Sequence, residues 1–118
     1  MFVKALKCKL HRATVTDTKI DYSGSIAVDP ELMEAAGMTA YEAVLIANVN
    51  NGNRFETYVV PAKRGSGQVI IMGAAARLAQ PGDKVIIINF GYFSPEELKN
   101  HKPKTLVMGD NNKIQEIV

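Results

Sequence analysis

The hydrophobic positions of this chain fall into short runs, most of them of strand type. Residues 5 to 10 set Leu6, Cys8 and Leu10 on one side and Ala5, Lys7 and Lys9 on the other, a strand with one dry and one wet face, and His11 joins the wet side. EAVLIANV (42–49) and RFETYVV (54–60) flank NNGN, whose Asn-Gly pair favours positive φ and predicts a hairpin. QVIIM (68–72) and KVIIINF (84–90), rich in β-branched residues, read as two more strands separated by GAAARLAQPG. KTLVM (104–108) and KIQEIV (113–118) form a last pair joined by GDNN. Helix signals are brief. DPELMEAAG offers Asp29 as N-cap, Pro30 at the first helical position and Gly37 just past the end, and Ser94 and Pro95 open a second short helix in the same way. Six to eight short strands with only short helices predict a mainly β fold, a closed or nearly closed small barrel, because closure removes strand edges that would otherwise aggregate.

Turn signals are spread evenly, with no linker, charge block or low-complexity segment, so residues 1–118 read as one domain. At 47% hydrophobic residues the chain can bury one sizeable core. Fourteen basic residues against twelve acidic ones, scattered along the sequence, argue against a nucleic-acid surface but leave room for a local anion pocket, so small acidic ligands fit better. The lone Cys8 forms no internal disulfide. The N-terminal MFVKALKCKLHR lacks a signal peptide's apolar run, and the stretch around VIII (85–88) is far too short to span a bilayer. The expectation is a soluble, cytoplasmic protein with no membrane or nucleic-acid partner.

One segment interrupts its own pattern. YSGSIAVD (22–29) should continue as a strand, yet it puts flexible Gly24 directly before Ser25. A Gly-Ser pair is ordinarily a bulge or turn. It also permits chemistry: with no Cβ on Gly24, the Ser25 hydroxyl can be pressed against the preceding carbonyl and attack its own peptide bond, giving an ester by an N-to-O acyl shift. β-Elimination from that ester releases the segment ending at Gly24, and hydrolysis of the resulting dehydroalanine leaves a pyruvoyl group.

The surrounding motifs favour the second reading. KLHRATVT (9–16), YSGSI (22–26), NNGNRFETY (50–58) and GAAAR (73–77), in this order and spacing and followed by PGDKVIIINFG and HKP (101–103), resemble the pyruvoyl-dependent aspartate 1-decarboxylase family over nearly the whole chain. The resemblance implies a double-psi β-barrel and self-cleavage between Gly24 and Ser25 into chains 1–24 and 25–118. It further implies a homotetramer of cleaved protomers making β-alanine from L-aspartate for pantothenate synthesis. The self-made pyruvoyl group would form a Schiff base with the substrate amine and accept the electrons left by the departing carboxylate, as pyridoxal phosphate does. No metal is expected: His11 and His101, with Cys8, make no ligand spacing.

The retained carboxylate of aspartate needs a cation, whereas the departing one should stay unpaired, since a salt bridge there would stabilise the ground state. The resemblance gives the first task to Arg54, with Lys9 as a second contact. It makes Tyr58 the proton donor to the carbanion, Thr57 a substrate contact that also steadies the oxyanion of the acyl shift, and Gly73, Ala74 and Ala75 a backbone binding surface at the start of a short helix. His11, Arg12 and Tyr22 read as supports of processing or pocket shape. Gly65 and Gly67 lack the setting of a nucleotide loop.

Two features resist this assignment. Arg54 and Tyr58 are four residues apart, about 13 Å along a straight strand, so either the chain bends after NNGN or the pocket lies between protomers. Met72 stands where the family usually carries an Asn, which predicts impaired or altered rather than abolished chemistry. Two rival readings are a non-catalytic barrel that binds partners, with Ser25 left intact, and a pyruvoyl decarboxylase that prefers glutamate.

Overall fold

A computed structural model describes all 118 residues. Its strands are β1 (Val3–Thr14), β2 (Asp17–Lys19), β3 (Ser25–Val28), β4 (Ala43–Asn48), β5 (Arg54–Pro61), β6 (Val69–Met72), β7 (Lys84–Phe93), β8 (Lys104–Met108) and β9 (Ile114–Ile117). Helices α1 (Pro30–Ala36) and α2 (Pro95–Asn100) lie at the signalled positions, and Gly73–Leu78 is a 3₁₀ segment. The hydrogen-bonded order is β2-β6-β3-β5-β4-β7-β1-β8-β9. Between β1 and β2 only Val15 and Thr16 intervene, and their amides bond Asp83 and Val69 carbonyls at 2.9 and 2.8 Å. β1 and β2 are thus one bent run that occupies both ends of the β2-to-β1 series and closes it into a barrel. β8 and β9 continue outward from β1. The strand count exceeds the expected six to eight because the bend divides one run in two and β3 begins within the interrupted segment.

The barrel is filled by side chains from successive strands: Leu10, Ile26, Ile46, Val59, Ile71 and Ile87 are fully buried, each worth about 1.5–3 kcal/mol of burial. α1 presents Leu32, Met33 and Ala36 to β8 and β1. Gly37 ends it at φ 90°, and Ser94 and Glu97 form a capping box on α2.

Asp29 does more than cap. Its carboxylate accepts from the N–H of Glu31 at 2.9 Å, Gly65 at 3.0 Å and Gly67 at 2.9 Å. The two glycines that superficially suggested a phosphate loop hold a carboxylate of their own chain. Burial pushes the Asp29 carboxyl up, but the donors from Gly67, Glu31 and Gly65 outweigh it and hold it below the ordinary carboxylate range. The stabilisation is complete above the unfolded value of about 3.9 and is lost as pH falls through the lower folded value. Asp29→Asn should lose about 1.5–3 kcal/mol at neutral pH and flatten the acid limb of the stability profile, as read by urea denaturation at pH 7 and pH 3.

Candidate active site

Ser25 opens β3 opposite Met72 of β6 and is only 4% exposed, whereas Gly24 lies outside the strand and is exposed. The break in the pattern is therefore a junction, with an exposed turn at Tyr22 and Ser23 running into a buried strand start. Across from it, Gly73 has φ 77°, and a Cβ there would stand 2.5 Å from the Gly24 Cα, 2.8 Å from its nitrogen and 3.1 Å from the Tyr22 carbonyl oxygen. Only glycine fits. The Tyr22–Ser25 turn is pressed against Gly73 by backbone atoms, and a pyruvoyl group at residue 25 needs no more room than the serine already there, since its methyl group replaces the hydroxymethyl side chain and its keto oxygen the backbone nitrogen.

The neighbouring strand supplies the next residues. β3 runs parallel to β5 with Ile26 beside Val59, so continuing the register one step back sets Ser25 level with Tyr58, one strand spacing or about 4.8 Å away in backbone. Gly24 precedes β3 and has no partner on β5. Thr57 is half-buried and on the opposite face of β5 from Tyr58, which is 39% exposed. Tyr58 has an aromatic neighbour that the sequence did not signal: the Tyr41 ring lies 6.5 Å away, carried by a backbone at φ 77° that a bulky residue rarely adopts.

Other candidates are not brought together within the chain. Arg54 starts β5, exposed, with Ala47 opposite it and Ala43 opposite Tyr58, and no bulge interrupts that pairing. No bulge after NNGN shortens the path between Arg54 and Tyr58. Lys9 is level with Ile88, Leu45 and Glu56 in turn, three strands from β5 or about 14 Å. No surface hollow of the chain is lined by Ser25, Arg54 or Tyr58.

His11 is half-buried on β1 with its Nδ1 buried and unbonded, and Arg12 follows at φ 64° in a register shift of β1 against β7. Exposed Tyr22 carries the Lys19 ammonium 4.9 Å above its ring. Ala74 is exposed and Ala75 half-buried in a six-residue 3₁₀ segment, where the sequence suggested a helix start. Met72 flanks Ser25 on β6 and Lys19 of β2 on the other side. No cluster of three His, Cys, Asp or Glu is placed to hold a metal. Burial raises the Cys8 thiol to about 11, so it is not a thiolate nucleophile at neutral pH.

The family model described as aspartate decarboxylase matches residues 1–115. The chain belongs to the aspartate decarboxylase family. It is 54% identical over 114 residues to an aspartate 1-decarboxylase of Caldicellulosiruptor saccharolyticus, covering 97% of this chain and 89% of the relative. It is 52% identical to that of Bacillus velezensis and 50% identical to that of Bacillus subtilis, in each case over all of this chain and 93% of the relative. For an aspartate decarboxylase, the adjacency of β3 and β5 is the informative feature, since it joins YSGSI and RFETY, two motifs that are some thirty positions apart in sequence.

Proposed function

We propose that this chain cleaves itself between Gly24 and Ser25 and then decarboxylates L-aspartate to β-alanine and carbon dioxide with the pyruvoyl group so formed. The observation that carries the reading is the parallel pairing of β3 with β5, Ile26 beside Val59, which continued by one residue sets Ser25 level with Tyr58, beside a Gly73 that admits no side chain.

In processing, Ser25 Oγ bonds to the Gly24 carbonyl carbon and the amide nitrogen leaves it. Thr57, next to Tyr58 on β5, donates to the Gly24 carbonyl oxygen as negative charge develops. β-Elimination then frees residues 1–24 with a terminal carboxylate, and water displaces ammonia from residue 25. The pyruvoyl carbonyl supplies the electron sink for carboxylate loss. Arg54 binds the carboxylate that stays, bidentately, and Lys9 adds a second cation. Tyr58 donates its phenolic proton to the carbon that has lost carbon dioxide. Gly73, Ala74 and Ala75 offer backbone groups to the substrate, and Tyr22 and His11 shape the cleavage turn and the pocket wall.

Because unbroken β5 keeps Arg54 about 13 Å from Tyr58 and Lys9 lies further round the barrel, the complete site is formed between protomers. That requirement calls for an oligomer; the homotetramer of cleaved chains, acting in the cytoplasm in the pathway to pantothenate, is what membership of the family implies. The test is turnover by the purified protein with L-aspartate and L-glutamate. β-Alanine should form with kcat/KM at least about tenfold above the glutamate reaction, the usual worth of one methylene. Faster turnover of glutamate, or none of either by fully cleaved protein, would overturn the reading.

A further inference from the structure

We propose that Asn51 and Asn53 are positioning residues that set Arg54, through a clasp on a single backbone carbonyl, and that this clasp governs affinity for the retained carboxylate. The proposal rests on the reading of Arg54 given above.

The carbonyl is that of Leu78. It accepts from the side-chain amides of Asn48 at 3.3 Å, Asn51 at 3.1 Å and Asn53 at 3.2 Å. A carbonyl oxygen has two lone pairs, so three donors exceed what satisfying it requires, and each contact is longer than the usual 2.9–3.0 Å or so. The hairpin does not need these bonds to close. Gly52 N–H already donates to the Asn48 carbonyl at 2.9 Å, Asn48 N–H to the Asn53 carbonyl at 2.8 Å, and Asn53 N–H to Asn51 Oδ1 at 2.9 Å. The amides instead reach out of the turn, across at least 25 positions of sequence, to one point.

That point has consequences. Leu78 ends the 3₁₀ segment whose first residue, Gly73, packs on the Gly24 backbone. At about 2.0 Å rise per residue the segment is a strut of about 10 Å from the cleavage turn to the hairpin. The independent route along β5, from Tyr58, level with Ser25, back to Asn53, is five residues or about 17 Å. Asn53 is bonded directly to Arg54. The Arg54 side chain makes no ion pair in the chain and is exposed, so within the chain it is placed only through the hairpin backbone that carries it. Fixing the hairpin to the strut holds the backbone of Arg54 firmly on its own barrel, so that Arg54 meets the site it completes between protomers already placed, removing motion that binding would otherwise have to arrest.

The test uses the full-length, cleaved enzyme. Asn48 is left alone, because it is buried and also bonds Asp83 at 2.9 Å. The double variant Asn51→Ala/Asn53→Ala should cleave completely by intact mass, keep kcat within about twofold and raise KM for L-aspartate at least about fivefold. Asn51→Asp alone, isosteric but placing a carboxylate oxygen against the Leu78 carbonyl, should also raise KM, and it serves if the double variant fails to fold. Arg54→Lys is the reference. If it raises KM while the clasp variants leave KM unchanged, or lower kcat or cleavage instead, the clasp does not position Arg54. If Arg54→Lys itself leaves KM unchanged, the assignment of Arg54 fails, and the clasp proposal with it.

Discussion

Gly73→Ala is expected to leave the purified protein as an uncut chain over the period in which the unsubstituted protein cleaves. A methyl group at residue 73 would lie 2.5 Å from the Gly24 Cα and 2.8 Å from its nitrogen. Both obstacles are backbone atoms, so no rotamer change relieves the contact, and the turn from Tyr22 to Gly24 must shift. Holding φ at 77° adds about 1–2 kcal/mol for a residue with a Cβ. The attack by Ser25 Oγ on the Gly24 carbonyl depends on near contact in the right direction, and a displacement of about 1 Å is worth about a hundredfold in rate. The barrel itself should survive, because none of its core side chains comes from the turn. Intact mass followed over time, with a thermal melt to show that the variant is folded, reads the two effects separately. Cleavage at the unsubstituted rate would mean that the close approach of Gly73 has no part in processing.

Tyr58→Phe should separate the two reactions that share the site. The change removes one hydroxyl and keeps the ring, so the contact with Tyr41 and the β4–β5 pairing are preserved. Processing uses Ser25 and Thr57, and cleavage should run to completion. Turnover of L-aspartate should then fall by about 10²–10⁴, the usual worth of a positioned proton donor, with KM little changed because Arg54 still holds the retained carboxylate. A cleaved Tyr58→Phe protein with undiminished kcat would place the donor elsewhere. An uncleaved one would assign the hydroxyl to processing.

These two expectations draw on features of different legibility. The strands flanking NNGN, the caps at Asp29 and Ser94 and the strand-like character of Ser25–Val28 are local, and each is written in a few neighbouring residues. The barrel followed from the number of short strands and the scarcity of helix. The parallel pairing of β3 with β5 is different, because no turn residue encodes a partner some thirty positions away, yet it is what puts Ser25 beside Tyr58. The same holds for the Gly73 contact. From sequence, Gly73 is a small residue leaving backbone accessible, and only the tertiary approach of Gly24 shows that a side chain is excluded. Residue spacing correctly indicated that Arg54 and Tyr58 are too far apart on a straight strand. It left open whether the chain bends, and the pairing with β4 runs past NNGN with no bulge to bring the two together. The convergence of three asparagines on Leu78 was beyond sequence reasoning, since NNGN alone accounts for a hairpin without it.

The central claim is a rupture of the backbone between residues 24 and 25 that creates the reactive carbonyl. Intact-mass measurement of active protein tests it most directly. The account predicts two fragments, residues 1–24 and 25–118, the larger with a blocked N-terminus that reacts with hydroxylamine. Protein that converts L-aspartate to β-alanine while remaining a single chain of 118 residues would contradict it.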